Sequence, residues 1–223
     1  MVTWSYSSIK TFDQCPKKYY HLKVAKDVKD TGSEASVYGN DVHKAAEDHV
    51  KQGTPIPEKY KYMQPIVEAL KAIPGEKHCE MKLGVRKTEY GYEPCGFFDE
   101  GVWWWGIADL VIVEGQKAHV VDYKTGKNAK YADFKQLDLL AGAVFLHFPQ
   151  VLKIKSALVY VVSNEFLKKE HLVTEKSTYL SVFDSQLDRL RAAEGSGVWN
   201  AVSSPLCGWC PVKECAHYKP PRR

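Results

Sequence analysis

The stretch from Gly106 to Lys124 constrains the fold of this chain most, because it reads as two strand-like segments joined by a tight turn. Asp109 interrupts the first segment, and Asp122 and Lys124 end the second. Side chains alternate between the faces of a strand, so Asp122 and Lys124 project from the same side, and pairing of the segments brings Asp109 to them. Two carboxylates this close repel each other unless a cation lies between them. Their oxygen atoms therefore predict a site for a hard divalent ion such as Mg²⁺.

The hydrophobic pattern along the rest of the chain predicts helices, strands, a helix, a strand and a helix, in that order. The predicted helices begin at the possible cap Ser7-Ser8 and then span Val37 to Val50, Glu58 to Ile73, Tyr131 to Phe148 and Thr174 to Ala193. The predicted strands are His78 to Val85, Val102 to Val113, Ala118 to Tyr123 and Ile154 to Val162. This order indicates the α/β class, with a mixed sheet covered by helices.

The composition is that of an ordinary soluble globular protein, with 44% hydrophobic and 26% charged residues in a chain of 223. No apolar run approaches the ~18 residues needed to cross a bilayer, so no membrane partner is expected. The first residues lack the pattern of a secretion signal, and a cytoplasmic location is the expectation. A net charge of +4 permits binding to nucleic acid without demonstrating it.

Three of the six cysteines, Cys207, Cys210 and Cys215, lie close together near the C-terminus. In a cytosolic chain a Cys-x-x-Cys pair more often binds metal or performs redox chemistry than forms a disulfide. A four-thiolate site needs one more cysteine, and such a site suits either zinc or an iron–sulfur cluster. The alternative is a set of free thiols.

Several short motifs occur in a fixed order: Gly39-x-x-x-His43, Gly106-x-x-Asp109, Asp122-x-Lys124 and then Gln136. Together they resemble the RecB-type branch of the PD-(D/E)XK nucleases. The terminal motifs, Ser8-x-x-x-Phe12-x-x-Cys15-Pro16-x-x-Tyr19 and Cys207-x-x-Cys210-x-x-x-x-Cys215, resemble the iron–sulfur members of that branch, which include AddB-type nucleases and CRISPR-associated adaptation exonucleases. One position departs from the family pattern, because Leu140 stands where a tyrosine usually follows the glutamine.

The resemblance implies a restriction-endonuclease-like core in which specific residues bind Mg²⁺ or Mn²⁺. Asp109 and Asp122 would be carboxylate ligands, His43 a ligand from a helix, and the backbone carbonyl of Tyr123 a further ligand. Glu80 would support the metal, as acids do at that place in some relatives, or would be a solvated strand residue. These assignments follow from the resemblance and not from the spacing alone.

The resemblance also implies catalytic roles for Lys124 and Gln136. Lys124 would orient or help to deprotonate the attacking water and balance the developing charge, while the metal would polarise the scissile phosphate. Gln136 would position the nucleic-acid strand or a water molecule. The lysines near this site, at positions 127, 130 and 135, and an exposed tryptophan ring could contact phosphate and a base respectively.

For the cysteines, the resemblance implies that Cys15 is the fourth ligand and that the group is a [4Fe–4S] cluster. Zinc held by the same thiolates is the alternative, and His217 is a possible substitute ligand. The ring so formed would join the N-terminal helices to a C-terminal cysteine cluster.

The expected function is therefore that of a metal-dependent DNA nuclease, specifically an exonuclease on single-stranded or frayed ends. The alternatives are a structure-selective endonuclease on the same core and a non-catalytic iron–sulfur DNA-binding module. A bacterial or phage-infected cell, with a role in recombination and repair, is the expected setting. One nuclease domain is expected over 1–223, with a helical part at 1–75, the catalytic sheet at 76–165, and a C-terminal helix and cysteine-rich tail at 166–223.

Overall fold

The computed structural model of the chain describes residues 2–30, 32, 34–130 and 132–220. The chain divides into two compact units: the first is Ser33–Val182, and the second combines Val2–Gly32 with Phe183–Arg223. The sequence analysis expects a single nuclease domain over 1–223. This division into two units does not test that expectation, which remains a prediction. The candidate metal ligands belong to the first unit and the four candidate thiolate ligands to the second.

Within the first unit, the described residues form a six-stranded sheet in the order β2-β1-β3-β4-β5-β6. The strands are β1 Glu76–Thr88, β2 Gly91–Cys95, β3 Trp104–Glu114, β4 Lys117–Lys124, β5 Lys153–Tyr160 and β6 Glu165–Leu172. Strands β4 and β5 are parallel, and the other neighbouring pairs are antiparallel. The predicted mixed α/β fold is therefore confirmed.

The α-helices of the described residues are α1 Tyr6–Gln14, α2 Pro16–Tyr19, α3 Glu34–Gln52, α4 Gln64–Ala72, α5 Lys135–His147, α6 Lys176–Leu180 and α7 Asp184–Ser196. Short 3₁₀ helices occur at Glu58–Met63, Val173–Glu175 and Pro205–Trp209, and a π-helical turn at Tyr20–Val24. Within the part of the chain that the structure covers, no helix is both long and apolar enough to cross a membrane.

Helices α3 and α4 cover one face of the sheet, where Val42, Ala46 and Val67 join a core with Leu110 and Val121. Helix α5 supplies the crossover that a parallel strand pair requires, between β4 and β5. Its residue Leu137 belongs to a second core cluster with Leu158 and Tyr160. The sheet is thus covered by helices on both faces, and the catalytic candidates lie where α3 and α5 approach the middle of β3 and the end of β4.

Helix α5 is buried on every side from Leu137 to Phe145, not only along the predicted apolar stripe. The reason is that α6 packs against it from outside. A Cβ atom added to Gly142 would lie 2.8 Å from Leu180 Cγ, so the close approach of the two helices depends on glycine at this position.

Other predicted boundaries differ from the structure in informative ways. The predicted helix from Thr174 to Ala193 is broken into a 3₁₀ turn, α6 and α7, and strands β2 and β6 were not predicted. In the predicted helix from Glu58 to Ile73, Pro65 lies in the first turn of α4, after a 3₁₀ turn, instead of bending a longer helix, since proline fits the first turn. Tyr131, where the next predicted helix starts, lies outside the described residues.

The second unit is held by contacts between its two chain segments. Ser5, rather than the predicted Ser7-Ser8, caps α1 in a reciprocal capping box with Ser8. The Trp4 and Phe183 rings meet edge to face at 5.8 Å, and Arg189 of α7 forms an ion pair with Asp13 of α1. These contacts fix the end of α1, after which Cys15 follows.

Candidate metal centre and thiolate site

The hairpin of β3 and β4 places Asp109 and Asp122 at the point where the two strands separate. Their ladder ends at the pair Leu110–Val121, so 109 and 122 are the next positions in register. Beyond the ladder, the backbone N–H of Tyr123 donates to Asp109 Oδ2 at 2.6 Å. The carboxylate of Asp109 is therefore fixed by the neighbouring strand, with its other oxygen free to face α3.

His43 reaches this point from α3. Val42 and Ala46 of that helix are fully buried in the core, which holds the helix against the sheet. His43 Nδ1 lies 3.3 Å from Asp109 Oδ1. One turn earlier, a Cβ atom on Gly39 would lie 3.5 Å from Thr125 Oγ1, so this end of α3 runs close to the residue after β4.

Glu80 completes a group of three ligands through an unusual backbone conformation. It lies within β1 between Cys79 and Met81, which pair with Leu110 and Ala108, yet its φ is +51°. A non-glycine residue in the left-handed region costs about 1–3 kcal/mol and persists only where the surrounding structure holds it. Strain of this kind concentrates at functional sites.

One ligand atom each from His43, Glu80 and Asp109 lies within 4.8 Å of the others, close enough to bind one ion. The predicted ligand Asp122 is not in this group, because its carboxylate is engaged elsewhere. Gln136 Nε2 donates to Asp122 Oδ1 at 2.5 Å, and Lys124 Nζ lies 2.6 Å from Oδ2. Lys124 also donates to Gln136 Oε1 at 2.8 Å.

The electrostatics of this region show an excess of negative charge. Burial raises the pKa of Asp122 to about 6, with Lys124 acting in the opposite sense and Asp109 in the same sense. Burial, and then Asp109, also raise the pKa of Glu80. For His43, burial opposes protonation, but the nearby Asp109, Asp122 and Glu80 outweigh it and raise the pKa. A bound cation would relieve this repulsion.

Tyr160 is a neighbour of the site that the sequence reasoning missed. It is the last residue of β5 and pairs in register with Lys124. Burial raises its pKa, with Lys124 acting in the opposite sense and Asp122 in the same sense. The parallel register of β4 and β5 was the missing information, since a strand boundary at Val162 does not reveal which residue lies beside Lys124. Leu140, at the position where relatives carry tyrosine, is buried in α5.

In the second unit, the four predicted thiolate ligands line one cavity. They are Cys15, Cys207, Cys210 and Cys215. The N–H of Val202 donates to Cys15 Sγ at 3.4 Å, and the N–H of Ser204 donates to Cys207 Sγ at 3.3 Å. Among the described residues, no three cysteine sulfurs lie within 4.8 Å of one another.

Comparisons with known proteins address the family and the fold. The model of the PD-(D/E)XK nuclease superfamily matches residues 3–215. Among solved structures, the chain is similar to a candidate exonuclease from Eubacterium rectale, with 15% identity over 98% of this chain and 89% of that one and a TM-score of 0.51. It is also similar to SSO0001, with 13% identity over 97% and 87% of the two chains and a TM-score of 0.49. No curated protein shows significant sequence similarity to the chain.

Proposed function

Because the chain belongs to the PD-(D/E)XK nuclease superfamily, we propose that it is a Mg²⁺- or Mn²⁺-dependent deoxyribonuclease that removes nucleotides from single-stranded or frayed DNA ends. The observation that carries the proposal is the convergence of His43, Glu80 and Asp109 beside the Asp122–Lys124 pair. Nucleases of this superfamily use divalent metals, and the convergence supplies donors of the right kind.

The donor set fits a divalent metal. Two carboxylates and an imidazole offer the oxygen and nitrogen ligands that suit Mg²⁺ and Mn²⁺. Both Glu80 and Asp122 are held in surroundings that disfavour their charge, and a divalent ion would stabilise both charges at once. We assign Asp122 and the carbonyl oxygen of Tyr123 as further ligands.

When bound, the metal supplies Lewis acidity at the scissile phosphate and lowers the pKa of a bound water. The reaction forms a P–O bond to the water oxygen, breaks the P–O bond to the leaving nucleoside oxygen, and transfers a water proton to that oxygen or to solvent. Lys124 donates hydrogen bonds from its ammonium group, so it orients the attacking water and stabilises charge that develops on the phosphate.

Gln136 acts as a positioning residue in this scheme. Its Nε2 donates to Asp122 and its Oε1 accepts from Lys124, so the amide holds both charged groups in one geometry. The residues of α5 that follow Gln136 are buried on all sides from Leu137 to Phe145, which gives the amide a rigid base. Substrate binding would then exchange one of these contacts for a contact with phosphate or water.

The experiment compares linear single strands labelled at either end with covalently closed single-stranded circles, each incubated with Mn²⁺. Degradation of the linear strands with intact circles supports an exonuclease, and the label that disappears first gives the polarity. Cleavage of the circles would show instead that the protein is an endonuclease. Asp122→Ala should lower the rate by about 10²- to 10³-fold, the loss typical when one preorganised polar group is removed from an active site.

The matched control is Asp188→Ala on α7, an exposed aspartate whose surface ion pair with Arg191 contributes little. Cleavage by the Asp122→Ala variant at the parent's rate would reject the catalytic assignment. If neither variant nor parent cuts any DNA with Mn²⁺ or Mg²⁺, the protein is a binding module instead.

We further propose that the four cysteines of the second unit hold a [4Fe–4S] cluster. They line one cavity, and two of their sulfurs accept backbone N–H groups, which tune sulfur ligands in such clusters. Zinc held by the same four thiolates is the alternative, and the resemblance of the terminal motifs to the iron–sulfur members of the family favours the cluster.

Metal analysis of protein purified without oxygen tests this proposal. Four iron and four sulfide per chain, with broad visible absorption, are expected. A colourless protein with one zinc per chain would reject the cluster in favour of the tetrahedral alternative.

A further inference from the structure

An exposed turn between β2 and β3 carries two adjacent phenylalanines. The N–H of Asp99 donates to Gly96 O at 3.1 Å, and Gly96 N–H donates to Asp99 Oδ2 at 2.7 Å. Phe97 and Phe98 therefore occupy the two central positions of a β-turn, where glycine, proline, asparagine and aspartate are usual. Phe98 is 84% exposed, so its ring is available to a binding partner.

These rings belong to a continuous surface, which we call the aromatic patch and define as Lys82, Phe97, Phe98, Trp105 and Ile107. The centroid of the Phe97 ring lies 4.9 Å from that of Phe98 and 5.2 Å from that of Trp105. Lys82 Nζ lies 5.3 Å from the Phe98 ring and 5.7 Å from the Phe97 ring. Ile107, which pairs in register with Lys82, is 38% exposed. Contiguous exposed apolar side chains are typical of surfaces that bind a partner.

The register of the sheet joins the aromatic patch to the metal centre. Asp109, Ile107 and Trp105 are alternate residues of β3, so their side chains share one face of the strand. On β1, Lys82 pairs directly with Ile107, two residues from Glu80. Asp109 and Trp105 are four residue steps apart along β3, a distance of about 13 Å at 3.3 Å per step. That distance corresponds to about four stacked nucleotides at 3.4 Å each.

From this continuity we propose that the aromatic patch binds the unpaired DNA strand next to the scissile phosphate. In this arrangement the Phe98 ring stacks on a base and the Lys82 ammonium pairs with a phosphate. The inference rests on the proposed nuclease function. It predicts that the DNA substrate has a few unpaired nucleotides next to the scissile phosphate. A ring stacks on a base only if that base is not already stacked and paired in a duplex.

Side chains of both charges lie around the aromatic patch. Lys82 supplies the positive charge beside the rings. Of the nearby acids, Asp99 is engaged with the Gly96 amide, and Glu93 pairs with Arg86 at 3.1 Å. Glu100 is exposed, and its backbone carbonyl accepts from Arg86.

The test measures binding by fluorescence anisotropy in EDTA, where no cleavage can occur. The probes are a labelled 12-nucleotide single strand and the matched blunt duplex. Phe98→Ala should weaken binding of the single strand about 5- to 100-fold, the loss of one stacked base. Duplex binding should change less than about twofold. Phe98→Trp should retain single-strand binding, and Phe98→Leu should not, because leucine is apolar but cannot stack.

The matched control is Tyr90→Ala, since Tyr90 is 93% exposed in the β1–β2 turn, at the far end of β1 from Glu80. This variant should bind the single strand like the parent. Lys82→Ala should reduce the slope of log affinity against log salt concentration by about 1, the change expected when one phosphate contact is lost.

The inference is overturned if Phe98→Ala binds the single strand as tightly as the parent, which would leave the aromatic patch to a protein partner. An equal loss for single strand and duplex would overturn the assignment to an unpaired strand. Cleavage assays separate this from the proposed function. If the parent binds the single strand through Phe98 but cuts no DNA, only the proposed nuclease function is rejected. If the parent cuts DNA and Phe98→Ala binds the single strand equally well, only the inference about the aromatic patch is rejected.

Discussion

At the scale of single residues, a buried polar cluster beneath α5 contributes to the way in which the stability of the first unit depends on pH. His171 on β6 is fully buried, with Nε2 2.8 Å from Ser156 Oγ and Nδ1 3.6 Å from Asp138 Oδ1. Lys169 Nζ pairs with the same Asp138 oxygen at 2.5 Å, and the Tyr179 ring packs edge to face on the imidazole. These groups hold the imidazole in place and exclude solvent from it.

Burial lowers the pKa of His171 to about 4, with Asp138 acting in the opposite sense and Lys169 in the same sense. The unfolded chain, with a histidine pKa near 6.5, therefore binds more protons than the folded chain between pH 4 and 6.5. The contribution of His171 to stability is complete above pH 6.5 and is lost as the pH falls toward 4. Between pH 7 and pH 5 the free energy of unfolding should fall by about 2 kcal/mol from this residue alone.

Urea unfolding at pH 7 and pH 5 checks this expectation. His171→Gln should remove that share of the pH dependence, whereas His217→Gln, at an exposed position near the C-terminus, should keep it. An unchanged difference between the two pH values in His171→Gln would contradict the assignment to this residue.

At the scale of elements, the conformation of Glu80 within β1 has a consequence for stability. In a regular strand interior, glycine costs roughly 0.5–1 kcal/mol relative to alanine. At a φ of +51° the order reverses, because a left-handed residue with a Cβ atom costs about 1–2 kcal/mol. Without metal, Glu80→Gly should therefore be more stable than Glu80→Ala by about 1 kcal/mol in urea unfolding.

The same pair of substitutions at Glu170 gives the comparison, since this exposed residue lies in the interior of β6 with ordinary strand geometry. There the alanine variant should be the more stable one. If alanine is also favoured at Glu80, the strand is relaxed at that point and its left-handed backbone is not what directs the side chain to Asp109.

The same position shows what the sequence alone could and could not predict. The hairpin of β3 and β4 was predictable because its apolar runs and its turn fix the register, which brings Asp109 and Asp122 together. The left-handed Glu80 was not, because such a conformation is held by contacts distant in sequence. The sequence favoured Asp122 as a metal ligand and placed Lys124 beside it, but the contact of Asp122 with Gln136 depends on where α5 packs.

The sequence did not predict β2 and β6 for a different reason, because these two strands lie at the edges of the sheet. β2 contains Pro94, and β6 carries Lys168, Lys169 and Glu170, so neither shows an apolar run. Proline and charged residues are frequent on edge strands because they prevent pairing with other chains. The break in the helix predicted over Thr174 to Ala193 has no glycine or proline at positions 181–183 to announce it.

At the scale of the whole molecule, the second unit is built from segments far apart in sequence, and its cysteines span them. Cys15 follows α1, and Cys207 lies about 190 residues further along the chain. A cluster that joins them closes a very long loop in the unfolded chain. By the loop-entropy model, one such link stabilises the folded state by at most about 5 kcal/mol.

Cys15→Ser should therefore lose its iron and lower the stability of the second unit by up to this amount. Trypsin gives a local readout, because Lys17 and Lys18 line the same cavity and the Lys17 N–H donates to Asn200 O at 3.2 Å. Release of this segment should speed cleavage after Lys17 and Lys18. Cys95→Ser in the first unit is the matched control and should keep both iron and protection. A Cys15→Ser protein that retains its iron and resists trypsin would show that the second unit is held by its packing contacts, since Cys15 would then be no ligand.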